Sequence, residues 1–125
     1  VDGTDGADRT NGTNAVDGGR GAGGADGADS AGPGGGPRVH IGSFTSAGGR
    51  GITTAAVDPR TGALTPLSAT GALADPSYLA LDRATGVLYA VSETEQGAAG
   101  AFRPTRDGLA ALGPAVRVGG AGPTH

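Results

Sequence analysis

Between residues 38 and 125 the chain repeats itself. Pro59 matches Pro104, Leu64 matches Leu109 and Leu67 matches Leu112, each 45 residues apart, and Val57 falls on Phe102 at the same spacing. Asp75-Pro76-Ser77-Tyr78 falls on Gly122-Pro123-Thr124-His125 at an offset of 47, and residues 39–43 fall on residues 88–92 at an offset of 49. The drift is a few residues of loop between Ser43 and Ile52. A unit repeated at a spacing this short cannot hold a separate core, so it must bury its apolar surface against its neighbours.

The clearest part of the repeat is residues 75–95, DPSYLALDRATGVLYAVSETE. Two short apolar runs, 78–81 and 87–91, flank the turn Asp82-Arg83-Ala84-Thr85-Gly86. Val87, Tyr89 and Val91 suit a pleated surface. An Asp opening such a turn bonds the backbone two residues on, and a Gly closing it takes φ > 0 without a Cβ clash. Asp58-Pro59-Arg60-Thr61-Gly62 has the same chemistry. The spacing therefore predicts strands over 38–43, 52–57 and 63–70, the hairpin of 78–81 with 87–91, then 98–103 and 109–118. Gly48-Gly49-Arg50-Gly51 and Arg106-Asp107-Gly108 read as turns, and Pro66 marks an edge strand or a bulge. The central hairpin is apolar at nearly every position, which predicts that both its faces are covered by stacked sheets. Four short strands per unit of about 45 residues are the signature of a β-propeller blade. The Trp-Asp and Gly-Gly/Trp signatures of WD40 and kelch blades are missing.

Residues 1–37 are of another kind. They consist almost wholly of Gly, Asp, Ala, Thr, Asn, Ser, Arg and Pro, with six Asp against two Arg, and Val1 and Val16 as the only larger apolar residues. So few apolar side chains cannot offset the entropy of ordering so many glycines, so a disordered Gly/Asp-rich tail or linker is expected. Gly19, Gly21 and Gly24 satisfy G-x-G-x-x-G, but no strand precedes them and no helix follows to aim amides at a phosphate. Asp2, Asp5 and Asp8 lack the two-residue spacing and closing Glu of an EF-type calcium loop. Asn11-Gly12-Thr13 is a sequon, meaningful only in a secreted protein of a glycosylating host.

Composition narrows the chemistry. There is no Cys, which removes disulfides, thiolate nucleophiles and Cys-based zinc sites. Nine Arg are scattered without a basic stripe in a chain of net charge −3, which argues against nucleic acid as a partner. No apolar run approaches the ~20 residues of a membrane helix. No G-x-S-x-G occurs, so no Ser sits in a nucleophile elbow. A cytoplasmic location is favoured; a signal peptide preceding Val1 would make the protein secreted.

Val39-His40-Ile41-Gly42-Ser43-Phe44-Thr45, Gly51-Ile52, Asp58-Pro59-x-Thr-Gly62-Ala63-Leu64, Pro76-Ser77-Tyr78-Leu79-Ala80-Leu81, Leu88-Tyr89-Ala90-Val91-x-Glu93 and Gly119-Gly120-Ala121-Gly122-Pro123-Thr124-His125 together resemble the seven-bladed lactonase propellers, the 6-phosphogluconolactonase-like proteins. The resemblance covers 38–125 in order. It implies an all-β chain with a partial blade over 38–74, a full blade over 75–118 and the start of another at 119–125. It also implies hydrolysis of a sugar lactone in carbohydrate metabolism, with no metal and no cofactor. A non-catalytic binding propeller and a decayed gene fragment are the alternatives. With about a quarter of a ring, the chain alone is expected to be aggregation-prone, poorly cooperative in unfolding and inactive, the remaining blades being its missing partners.

Lactone opening needs a base for water, a polarised carbonyl and anchors for the sugar or phosphate. Propellers gather such groups at one mouth of the central channel. By the resemblance, His125, equivalent to Tyr78 where an innermost strand begins, and Glu93, just past the second strand of a blade, are the catalytic candidates. Arg50 is the candidate substrate anchor on a loop. His40, between Val39 and Ile41, reads as a satisfied strand side chain. Tyr78, Tyr89, Phe44 and Phe102 read as blade-packing aromatics.

Overall fold

The structure, a computed structural model, describes residues 36–125; the expected disordered tail lies outside the described residues apart from Gly36 and Pro37. Among the described residues eight strands run in order: β1 Arg38–Ser43, β2 Gly51–Val57, β3 Leu64–Thr70, β4 Pro76–Asp82, β5 Val87–Ser92, β6 Ala98–Pro104, β7 Leu109–Ala111 and β8 Val116–Arg117. One 3-10 turn, Thr45–Ala47, follows β1. No α-helix occurs among the described residues.

The strands form two antiparallel sheets of a partial propeller. The first has the order β1-β2-β3. Pro66 sits on β3, at the edge of that sheet, the place in a sheet where proline is tolerated. The second has the order β4-β5-β6-β7, with β8 also pairing to β6. β7 pairs with the far end of β6, Phe102 facing Ala111, whereas β8 pairs with its start, Ala98 facing Arg117. The expected single strand over 109–118 is therefore broken, and Gly113-Pro114 falls between the two pieces, where proline cannot donate to the ladder.

Both predicted turns form as their chemistry requires. In the β4–β5 hairpin, Asp82 Oδ1 accepts from the Ala84 amide at 3.0 Å, Thr85 Oγ1 donates to Asp82 Oδ2 at 2.6 Å, and the Gly86 amide donates to the Asp82 carbonyl at 2.7 Å. Asp58 likewise receives the Arg60 amide at 2.8 Å, and its carbonyl receives that of Gly62 at 2.7 Å. Gly86 and Gly62 have φ of 73° and 79°, the left-handed region that favours glycine.

The chain divides into two compact units. One contains residues 55–67 with the end of the segment running to Val39; the other contains His40–Thr54 and Ser68–His125. The second unit holds the core, in which Ile52, Leu73, Leu88, Ala90 and Phe102 are buried together, and Leu79 and Leu109 pack against them. Burying each large side chain here is worth about 1.5–3 kcal/mol. Cross-strand pairing explains the selection: Leu79 faces Ala90, and Leu88 faces Phe102, so these residues share one face of the sheet.

The opposite face is mostly open in this chain. Tyr78 is 51 % and Tyr89 47 % exposed, although Val87, on the same side at the turn end, is buried. Cover on both sides requires a neighbouring blade on each face. Within this chain Ile52 and Leu73 cover one side, and most of the other is open.

Candidate functional site

Alternation of strand direction sorts the loops between two ends of the second unit. β4 starts at Pro76, β5 finishes at Ser92 opposite it, and β6 starts at Ala98 opposite Ser92. The turn after β5, the approach to β4 and the segment after β8 therefore share one end. The Thr45–Ala47 turn joins them, because its residues bond Asp75. Arg50, Glu93 and His125 all lie on these segments.

Glu93 is half-buried, and its amide donates to the Asp75 carbonyl at 2.9 Å. That bond sets the turn after β5 against the start of β4. Arg50 is exposed; its amide donates to Ser43 Oγ at 3.1 Å, which closes the loop between β1 and β2. His125 is exposed, with Nδ1 3.1 Å from Thr124 Oγ1. Its ring centroid lies 6.2 Å from that of Tyr78, the planes tilted by 59°. Residues equivalent in the repeat thus become neighbours in space. The segment 119–125 reaches that place by packing on the turn after β5: the Val118 amide bonds the Gly97 carbonyl at 3.1 Å and the Gly122 amide bonds the Thr94 carbonyl at 2.8 Å. Gly97, at φ 60°, admits this approach because a Cβ there would run into the Gly120 carbonyl.

The three predicted residues thus share one end of the fold, but no hydrogen bond or ion pair joins their side chains among the described residues. Two carboxylates, Glu93 and Glu95, the imidazole of His125 and the guanidinium of Arg50 lie on these segments. Among the described residues no group of three or more His, Asp or Glu is placed to hold a metal ion. His40 fulfils its bland expectation: its Nδ1 is 3.0 Å from Thr54 Oγ1, and burial lowers its pKa.

The residue that sequence reasoning missed is Asp75. It is 8 % exposed and has φ of 45°, the one non-glycine residue with positive φ among the described residues. Its Oδ1 accepts from Thr45 Oγ1 at 3.0 Å and from the Ser46 amide at 2.8 Å, and its Oδ2 accepts from Ser46 Oγ at 2.9 Å. The amide of Ser46 is the chief reason its pKa lies below the ordinary carboxylate value; the Ser46 and Thr45 hydroxyls add to the effect. A signal was present in the repeat: Asp75 aligns with Gly122, and Gly122 also has positive φ, 59°. An Asp standing where its repeat partner is Gly marks a left-handed backbone position.

Comparison with known proteins agrees with this geometry. The family model described as Lactonase, 7-bladed beta-propeller, matches residues 38–125. A crystal structure of a candidate 6-phosphogluconolactonase from Bacteroides uniformis is 32 % identical, with a TM-score of 0.63 over 70 % of this chain and 26 % of that one. A second candidate 6-phosphogluconolactonase, from Bacteroides fragilis, is 31 % identical, with a TM-score of 0.63 over 70 % and 25 %. A protein from Lactobacillus plantarum is 27 % identical, with a TM-score of 0.54 over 69 % and 25 %. No curated protein matches the chain. The chain spans about a quarter of the length of the solved structures it matches. With a 45-residue strand repeat, a four-stranded meander and a match running from Arg38 to His125, the chain belongs to the lactonase family of seven-bladed β-propellers.

Proposed function

We propose that the intact protein carrying this segment hydrolyses a sugar lactone of the 6-phosphogluconolactone class. In this reading residues 38–74 form a partial blade, residues 75–118 a full one, and residues 119–125 open the next. The match to the lactonase family over 38–125 carries the reading. The gathering of Arg50, Glu93 and His125 at one end of the fold is consistent with it.

The chemistry assigns roles. Water attacks the lactone carbonyl carbon, a base takes the water's proton, and the tetrahedral oxyanion collapses with cleavage of the ring C–O bond. The products are a carboxylate, a hydroxyl and one released proton. Glu93 is a candidate base, since its backbone is held by Asp75. His125, beside Tyr78, is the second candidate and can also protonate the leaving oxygen. Arg50 anchors the anionic end of the substrate, where a guanidinium's fork of donors suits a phosphate or carboxylate.

Lactone-dependent proton release by the full-length protein tests this. Glu93→Gln or His125→Gln should lower kcat by about 100-fold or more if the residue acts as the general base. Arg50→Ala should act mainly on KM for a phosphorylated lactone, with little effect on an uncharged one. A full-length protein no faster than spontaneous hydrolysis removes the enzyme reading.

A further inference from the structure

We propose that Asp75 is the positioning residue of this end of the fold, its carboxylate tying the loop that leads to Arg50 to the turn that presents Glu93. The proposal rests on the lactonase reading above for what the end does, and on the geometry alone for how it is held.

Asp75 has two separable parts. Its backbone, at φ 45°, makes the corner before Pro76 and receives the Glu93 amide at its carbonyl. Its side chain reaches across thirty residues of sequence to take three donors from Thr45 and Ser46. The Asp75 amide closes the link by donating to Thr45 Oγ1 at 3.1 Å. A single residue therefore touches both segments that carry candidate site residues.

The repeat supplies an internal control. Thr94 is the counterpart of Thr45, and Gly122 the counterpart of Asp75. In the second module the corner recurs, with Gly122 at φ 59° and its amide on the Thr94 carbonyl. The carboxylate does not recur, and there Thr94 Oγ1 instead takes the Gly97 amide of its own turn at 3.2 Å. The left-handed corner is thus common to both modules and glycine suffices for it. A non-glycine residue in that conformation carries a steric penalty, and in Asp75 it accompanies a carboxylate that takes three hydrogen bonds from Thr45 and Ser46. The side chain is the part that only the first module has, and it holds the Thr45–Ala47 turn.

Asp75→Gly separates the two parts. It keeps the corner, as in Gly122, and deletes the tie. Hydrogen exchange resolved to single amides in the full-length protein should show Ser46 exchanging about tenfold faster or more, because its amide loses a charged acceptor. Glu93, bonded to the backbone carbonyl of residue 75, should stay within about twofold. Asp75→Asn, which tolerates positive φ and keeps one carbonyl acceptor, should restore most of the Ser46 protection. Unchanged Ser46 exchange overturns the tie. Equal acceleration at Ser46, Glu93 and Phe102 also overturns it, because Asp75 would then support overall stability only. In the full-length protein, Asp75→Gly should raise KM for a phosphorylated lactone more than it lowers kcat, with Asp75→Asn closer to wild type; an unchanged KM overturns the positioning role. A wild-type protein without lactonase activity refutes the reaction proposed above, and the exchange contrast then decides the tie by itself.

Discussion

Phe102 and Tyr89 lie on neighbouring strands and point to opposite faces of one sheet, so truncating each measures what covers that face. Phe102 pairs with Leu88 and is 2 % exposed inside the cluster of Ile52, Leu73, Leu88 and Ala90. Tyr89 pairs with Ala80 and Ala101 and is 47 % exposed. A buried phenyl ring removes some 150–250 Å² from water, which at ~25 cal/mol/Å² is about 4–6 kcal/mol as an upper bound. Measured Phe→Ala costs of about 3–5 kcal/mol include the cavity left behind. Phe102→Ala should therefore destabilise the second sheet by about that amount. Tyr89→Ser should cost under about 1 kcal/mol, because half of its ring is already in water. Urea titrations of wild type and both variants, followed by circular dichroism, give the comparison, and light scattering on the same samples reports solubility. Tyr89→Ser should also reduce aggregation, since it removes an aromatic from an open sheet face. Equal losses for the two variants, or a greater loss for Tyr89→Ser, would refute the assignment of the covered face.

Three further outcomes are expected. Asp58 and Asp82 have pKa values below the ordinary carboxylate value, Asp58 mainly through the Arg60 amide and Asp82 mainly through the Thr85 hydroxyl. Their contribution to stability is therefore complete above about pH 4 and is lost as the pH falls through the lower folded values; Asp82→Asn should flatten that part of a profile of Tm against pH. His40 is also lowered, by burial, so the unfolded chain binds its proton first and stability declines as pH falls from about 6.5; His40→Gln should abolish that upper step, and a wild-type profile flat from pH 7 to 5 would contradict it. Gly97→Ala should displace residues 119–125, because its Cβ meets the Gly120 carbonyl, and so part His125 from Tyr78; unchanged Tyr78 ring-proton shifts would refute this.

Much of the fold was legible because its information is local. Asp58, Gly62, Asp82 and Gly86 specify their turns through bonds spanning two to four residues and through a backbone sign that glycine adopts freely. The repeat carried much of the rest, since residues matching at 45 to 49 positions begin corresponding strands, as Leu64 begins β3 and Leu109 begins β7. It also brought the candidate site to one end of the sheets, because strand alternation leaves only two ends to choose between. Three features were decided by tertiary structure alone. The β4–β5 hairpin is apolar on both faces, so nothing in its pattern says that Leu88 is covered and Tyr89 left open; that depends on where Ile52 and Leu73 arrive. The outer strand looked continuous, and its break into β7 and β8 shows only in its two separate pairings to β6. The grip of Asp75 on Thr45 and Ser46 spans thirty residues, and a carboxylate's partners at that separation depend on how the chain is packed, which no local propensity encodes.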